Sequence, residues 1–174
     1  MCAPKSINCK WAGKSPTVTL AIELGVQMPA PQEVINDLII GVDHVGLAVK
    51  DLDQAMLFWQ ENFGAKLHSR EFNAQQDLEE AMMLFQDGSK IQLLASTNPE
   101  STIGKFISKY GQGMQQLALR VANLEQATKL LADAQISSVY PTQKNGSNGT
   151  WINFIHPKFT GGVLIELVEY PSEN

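Results

Sequence analysis

The chain has 174 residues, 44% of them hydrophobic, and a formal net charge of −5. That is enough apolar material for one substantial core, or for two small modules that share one. Its lysines are scattered rather than clustered, so the electrostatic footprint of a nucleic-acid binder is missing. No apolar run approaches the roughly 20 residues of a membrane-spanning helix, which excludes that class of membrane partner.

Residues 1–41 read as an extension. Both cysteines, Cys2 and Cys9, fall in it, where they cannot staple distant elements together; this points to a reducing compartment and a cytoplasmic location. Lys5, Lys10 and Lys14 are the charges that precede Glu23, which leaves a targeting leader over residues 1–22, and hence an organelle, as the alternative. The stretch TVTLAIELGV alternates apolar and polar residues and predicts a strand. Met28-Pro29-Ala30-Pro31 breaks it, and Pro31 suits the first turn of a short helix through Val34, Ile35, Leu38 and Ile39.

From Val42 the chain is built on a repeat. VDHVGLAVKDLDQA returns as MQQLALRVANLEQA, with Leu47 over Leu119, Val49 over Val121, Leu52 over Leu124 and Ala55 over Ala127 at one constant offset. Val45, Leu47 and Val49, like Leu117, Leu119 and Val121, recur at the period of a half-buried strand, and the residues after them recur at helical spacing. Asp51 or Asp53, and Asn123, offer side-chain oxygens to the free N–H groups at the helix starts, and Gly64 suits a helix stop. IQLLAS and IELVEY close the two halves, each behind a glycine-bearing turn. The reading is module one over 42–97, a connector helix within 98–112 closed by Gly111, and module two over 113–171. Each module runs strand, helix, then two or three strands joined by hairpins, an α+β organisation.

Strand alternation locates the chemistry. With Val45, Leu47 and Val49 under the helix, His44 points to the other face; the same rule turns Gln92, Gln116 and Glu166 away from their helix-covered faces. If the modules pair about a pseudo-twofold axis these four converge, because His44 exchanges with Gln116 and Gln92 with Glu166. They then either hydrogen-bond one another in a wet cup or hold a divalent metal ion. One nitrogen, two amide oxygens and a single carboxylate suit cobalt, manganese or magnesium better than zinc.

The words DHVGLAV, IQLL, GQGMQQLALRV and above all INFIHPKFTGGVLIELVEYP resemble the methylmalonyl-CoA epimerases, a family of the vicinal oxygen chelate superfamily that also holds the glyoxalases. The resemblance runs from Val42 to Pro171. It implies paired βαβββ modules forming one cupped, open eight-stranded β-barrel, an acyl-CoA substrate, a divalent metal, and a homodimer. Carried over by position, the family's metal ligands fall on His44, Gln92, Gln116 and Glu166. Its two proton-transferring carboxylates fall on Glu80 and Glu166. Gln116 is the departure: the family has a His-His pair where this chain has Gln115-Gln116. Lys158 is a candidate partner for a substrate carboxylate or CoA phosphate, whereas His156, in a His-Pro corner, reads as a brace for the turn. A metal-free binding or resistance protein and a glyoxalase-type lyase are the alternative functions on the same fold.

Overall fold

The computed structural model describes residues 34–74 and 76–171. The expected strand over 17–26, the 1–22 leader and both cysteines lie outside them. Among the described residues eight strands form a single sheet: β1 (Ile39–Val49), β2 (Lys66–Asn73), β3 (Leu78–Leu84), β4 (Lys90–Ser96), β5 (Gly113–Val121), β6 (Lys144–Asn145), β7 (Trp151–Ile155) and β8 (Leu164–Glu169). Their order across the sheet is β2-β3-β4-β1-β5-β8-β7-β6. The sheet curls into an open half-barrel, as the α+β reading expects.

The pseudo-twofold axis can be read from the register. β1 and β5 pair antiparallel at the centre, with His44 opposite Ala118 and Gly46 opposite Gln116. Exchanging each residue for its repeat partner turns the first pair into the second. On the flanks β1 runs parallel to β4 with Gly46 beside Gln92, and β5 runs parallel to β8 with Ala118 beside Glu166.

The caps stand where the sequence puts them. Helix α1 (Leu52–Phe63) starts on Asp51, whose carboxylate accepts from the Gln54 N–H at 2.9 Å, and stops on Gly64 in the left-handed region at φ 68°. Asp53, the other candidate, instead pairs with Arg70 at the surface. Helix α3 (Leu124–Asp133) is capped by Asn123, which accepts from the Gln126 N–H at 2.7 Å.

Two apolar clusters sit on the outer face of the sheet. α1 lays Leu52 and Met56 on Val45, Leu47, Met83, Ile91 and Leu93. α3 lays Leu124, Ala127 and Leu131 on Leu119, Val121, Ile165 and Leu167. Each fully buried Leu contributes about 1.5–3 kcal/mol through burial, so the helices pin the strands' outward parity and leave their even-numbered residues to the cup.

One expectation needs correction. Residues 34–39 do not form a helix: a 3₁₀ turn spans Asn36–Leu38, and Ile39 is already in β1 opposite Val121. Pairing with β5 and packing of Val34, Ile35 and Leu38 into the α3 cluster outweigh a helix that would be only a turn or two long. The connector α2 (Thr102–Tyr110) begins on Ser101 and ends at Gly111 as expected, but it does more than connect. Its Ile103 packs on Ala48, Leu78 and Leu94, which belong to the cup face, so α2 plugs one end of the cup.

Candidate active site

The cup encloses a cavity of about 560 Å³ lined by His44, Glu80, Gln92, Gln116 and Glu166. All five are buried. Four come from the central strands β4, β1, β5 and β8; Glu80 comes from β3 on the first-module flank. Gly46, directly across from Gln116, leaves the room this needs: a Cβ there would stand 2.6 Å from Gln116 Cγ.

The four central side chains meet. His44 Nε2 lies 3.1 Å from Gln92 Oε1 and 3.3 Å from Glu166 Oε2. Gln116 Nε2 donates to Glu166 Oε2 at 2.6 Å and reaches Gln92 Oε1 at 3.4 Å. Gln92 Nε2 in turn donates to Glu80 Oε2 at 2.8 Å, which ties the fifth residue to the other four.

The other edge of the imidazole fixes its chemistry. Nδ1 donates to Asp43 Oδ1 at 2.8 Å, since a carboxylate can only accept. Nε2 therefore faces two acceptors, an arrangement that favours a proton or another cation there. Burial by itself would lower the His44 pKa, but the hydrogen bonds and charges of Asp43 and Glu166 outweigh it and lift the group to about 9. Glu80 is raised from the ordinary carboxylate range chiefly by burial, against a hydrogen bond from the Ser147 hydroxyl and with the charges of Glu71 and Glu166 adding to the rise.

The donor set fits a cation. A histidine nitrogen, an amide oxygen and a carboxylate oxygen point at one place, and Gln116 can present Oε1 there instead of Nε2 by turning its amide. Only His44 and Glu166 of the four are residue types common in metal sites. Among the described residues no group of three or more His, Cys, Asp or Glu is placed to hold a metal.

Lys158 is not brought in. It is exposed on the 3₁₀ turn Pro157–Phe159, with its ammonium 4.6 Å from the centre of the Phe159 ring. His156 braces that turn as expected, its Nδ1 accepting from the Lys158 N–H at 3.1 Å.

Sequence reasoning missed two residues. Asp43 sits in a bulge of the β1–β5 ladder between Val42 and His44, which defeats the alternation rule that would aim it away from its neighbour. Ser147 lies in the β6–β7 turn and crosses to the first module, where its hydroxyl reaches Glu80 while Asn148 bonds Glu71 and Ser69. The glycine and asparagine run KNGSNG signals a turn, but nothing in it reveals that reach.

The chain resembles known proteins in sequence and in fold. Residues 43–154 match the model of the glyoxalase/bleomycin resistance protein/dioxygenase superfamily. The mitochondrial methylmalonyl-CoA epimerase of Dictyostelium discoideum is 30% identical over 138 residues, 78% of this chain and 82% of that protein. The chain belongs to the methylmalonyl-CoA epimerase family. It is accordingly an isomerase. Among solved structures of the family, the Mycobacterium tuberculosis epimerase superposes with a TM-score of 0.75 at 41% identity, covering 84% of this chain and 95% of that one. A further epimerase, solved in complex with methylmalonyl-CoA and NH4+, superposes at 0.72 and 34% identity over 78% and 96% of the respective chains.

Proposed function

We propose that the protein epimerises methylmalonyl-CoA, or a similar 2-substituted acyl-CoA, by a 1,1-proton transfer at C2 in which Glu80 and Glu166 act from opposite sides. The observation that carries this reading is the position of two buried carboxylates, one on each flank of the His44–Gln92–Gln116 centre and both lining the same cavity. A C2 flanked by a thioester and a carboxylate loses its proton to form a planar enolate, and inversion needs a proton delivered to the other face. One carboxylate must take and the other must give. Glu80, held toward its protonated form by burial, is suited to giving, and Glu166, whose Oε2 accepts from Gln116 Nε2, to taking.

His44 Nε2, Gln92 Oε1, Glu166 Oε2 and the Gln116 amide oxygen would hold a divalent cation, cobalt, manganese or magnesium before zinc. When bound it supplies Lewis acidity to the thioester carbonyl oxygen. The chain's own part is to keep those donors aimed at one point, to exclude water by burial, and to hold Glu80 by Gln92 Nε2 and the Ser147 hydroxyl. In the opposite direction the roles exchange and Glu80 takes the C2 proton, its carboxylate held in place by the Ser147 hydroxyl and Gln92 Nε2 in both roles.

The test is solvent exchange. In heavy water each enantiomer of methylmalonyl-CoA should yield the opposite enantiomer carrying deuterium at C2. Absence of any exchange, with folded protein and with cobalt or manganese supplied, would leave the binding-protein reading in its place.

A further inference from the structure

We infer that Asp43 is a positioning residue for His44, and that Lys90 and Tyr170 lock it in that role. The inference rests on the epimerase reading only for its consequence in turnover. Asp43 is 8% exposed, and a single oxygen of its carboxylate, Oδ1, takes three donors: His44 Nδ1 at 2.8 Å, Lys90 Nζ at 2.8 Å and the Tyr170 hydroxyl at 3.3 Å. Lys90 also donates to the Tyr170 hydroxyl at 2.8 Å, closing the triangle. Lys90 Nζ lies 5.2 Å and the Arg120 guanidinium carbon 4.5 Å from the centroid of the tyrosine ring.

These partners come from far apart in the chain. Asp43 is in β1, Lys90 opens β4, Arg120 is in β5, and Tyr170 follows β8. The cluster thus ties both modules together behind the imidazole. A buried carboxylate without partners would be costly, so three donors on one oxygen explain why Asp43 tolerates its place. A carboxylate behind a histidine fixes the ring's rotation and leaves the far nitrogen aimed at the site, and loss of such a group typically weakens cation binding roughly 10- to 100-fold.

Two readouts that need no substrate test this. In substrate-free protein the His44 Nδ1–H should give a slowly exchanging imidazole resonance, assignable because the chain has 3 histidines. In Asp43→Asn that signal should be lost or shifted, and Co2+ affinity, measured by titration with the metal alone, should fall roughly 10- to 100-fold. Tyr170→Phe, which keeps Asp43 and the fold, should weaken Co2+ by about fivefold, the loss of one supporting hydrogen bond. An Asp43→Asn protein with both the resonance and the Co2+ affinity of the parent would overturn the inference. Should that variant not fold, Tyr170→Phe with an unchanged His44 signal and unchanged affinity would overturn it as well. A parent that fails to exchange the C2 proton while Asp43→Asn still loses the resonance would sink the epimerase reading and leave the positioning role standing.

Discussion

The two modules share a backbone plan and divide the chemistry unequally. Where the first module places His44 the second has Gln116, and where the first places Gln92 the second has Glu166. Glu80 stands opposite Leu94 in the β3–β4 ladder; the matching position in the β7–β8 ladder, opposite Val168, is Ile152. Each module therefore contributes one carboxylate, from non-equivalent strands. Outer-face packing tolerates the symmetry because helices and sheets need only shape, whereas the proposed two-base inversion at one carbon needs a proton-transferring group on each side of one shared centre. The symmetry builds the cup, and departures from it supply the function.

The largest effect expected from breaking this division is at Glu166. Glu166→Gln removes the carboxylate that accepts Gln116 Nε2 and faces His44 Nε2, so epimerisation should fall on the order of 10³-fold or more and cation binding should weaken with it. Steady-state rates together with a Co2+ titration check this. Next come the symmetric positions of the outer face. Leu93 and Leu167 occupy repeat-related sites and are 0% and 1% exposed, so Leu93→Ala and Leu167→Ala should each cost about 2–5 kcal/mol in denaturant unfolding, and by similar amounts. A cost confined to one of them would mean that the modules do not share the load.

Asp43 gives a pH-dependent prediction. The His44 and Lys90 hydrogen bonds, working against burial, depress its pKa from 3.8 to about 2. A depressed carboxylate contributes stability that is present above its unfolded pKa and lost as pH falls through the folded one. Asp43→Asn should therefore be less stable than the parent by about 2 kcal/mol near neutral pH, with the gap closing between pH 4 and pH 2. Urea midpoints across that window read it directly. The smallest effect is expected where the modules are made alike: Gln116→His replaces an amide with an imidazole nitrogen and should tighten Co2+ or Mn2+ by on the order of tenfold in calorimetry.

Much of this was legible in the residues themselves. The alternation of Val45, Leu47 and Val49 and the caps Asp51 and Asn123 carry strand, helix and outward face, and the same parity turns His44, Gln92, Gln116 and Glu166 inward. Glu80 is reached only through the family resemblance, and its β3 face then turns it toward the cup. What stayed hidden depends on long-range geometry. The Asp43 bulge breaks the period on which the parity rule rests, and Ser147 acts through a turn that crosses between the two edge strands' modules. Ile103 reads as one apolar residue of a short helix until the sheet curls beneath it. Lys158 carries a charge suited to an acyl-CoA, yet its turn aims it at Phe159 and solvent rather than into the cup.

The division of labour between the modules is tested most directly by Glu80→Gln in heavy water, with each enantiomer of methylmalonyl-CoA supplied separately. Glu80 is outside the group of four cation donors, so Co2+ affinity should hold. One enantiomer, whose C2 proton faces Glu166, should still exchange that proton for deuterium, while the other should not, and interconversion should fall on the order of 10²- to 10⁴-fold. A Glu80→Gln protein that interconverts the two enantiomers as fast as the parent would contradict the account, because the first module would then supply no base at all.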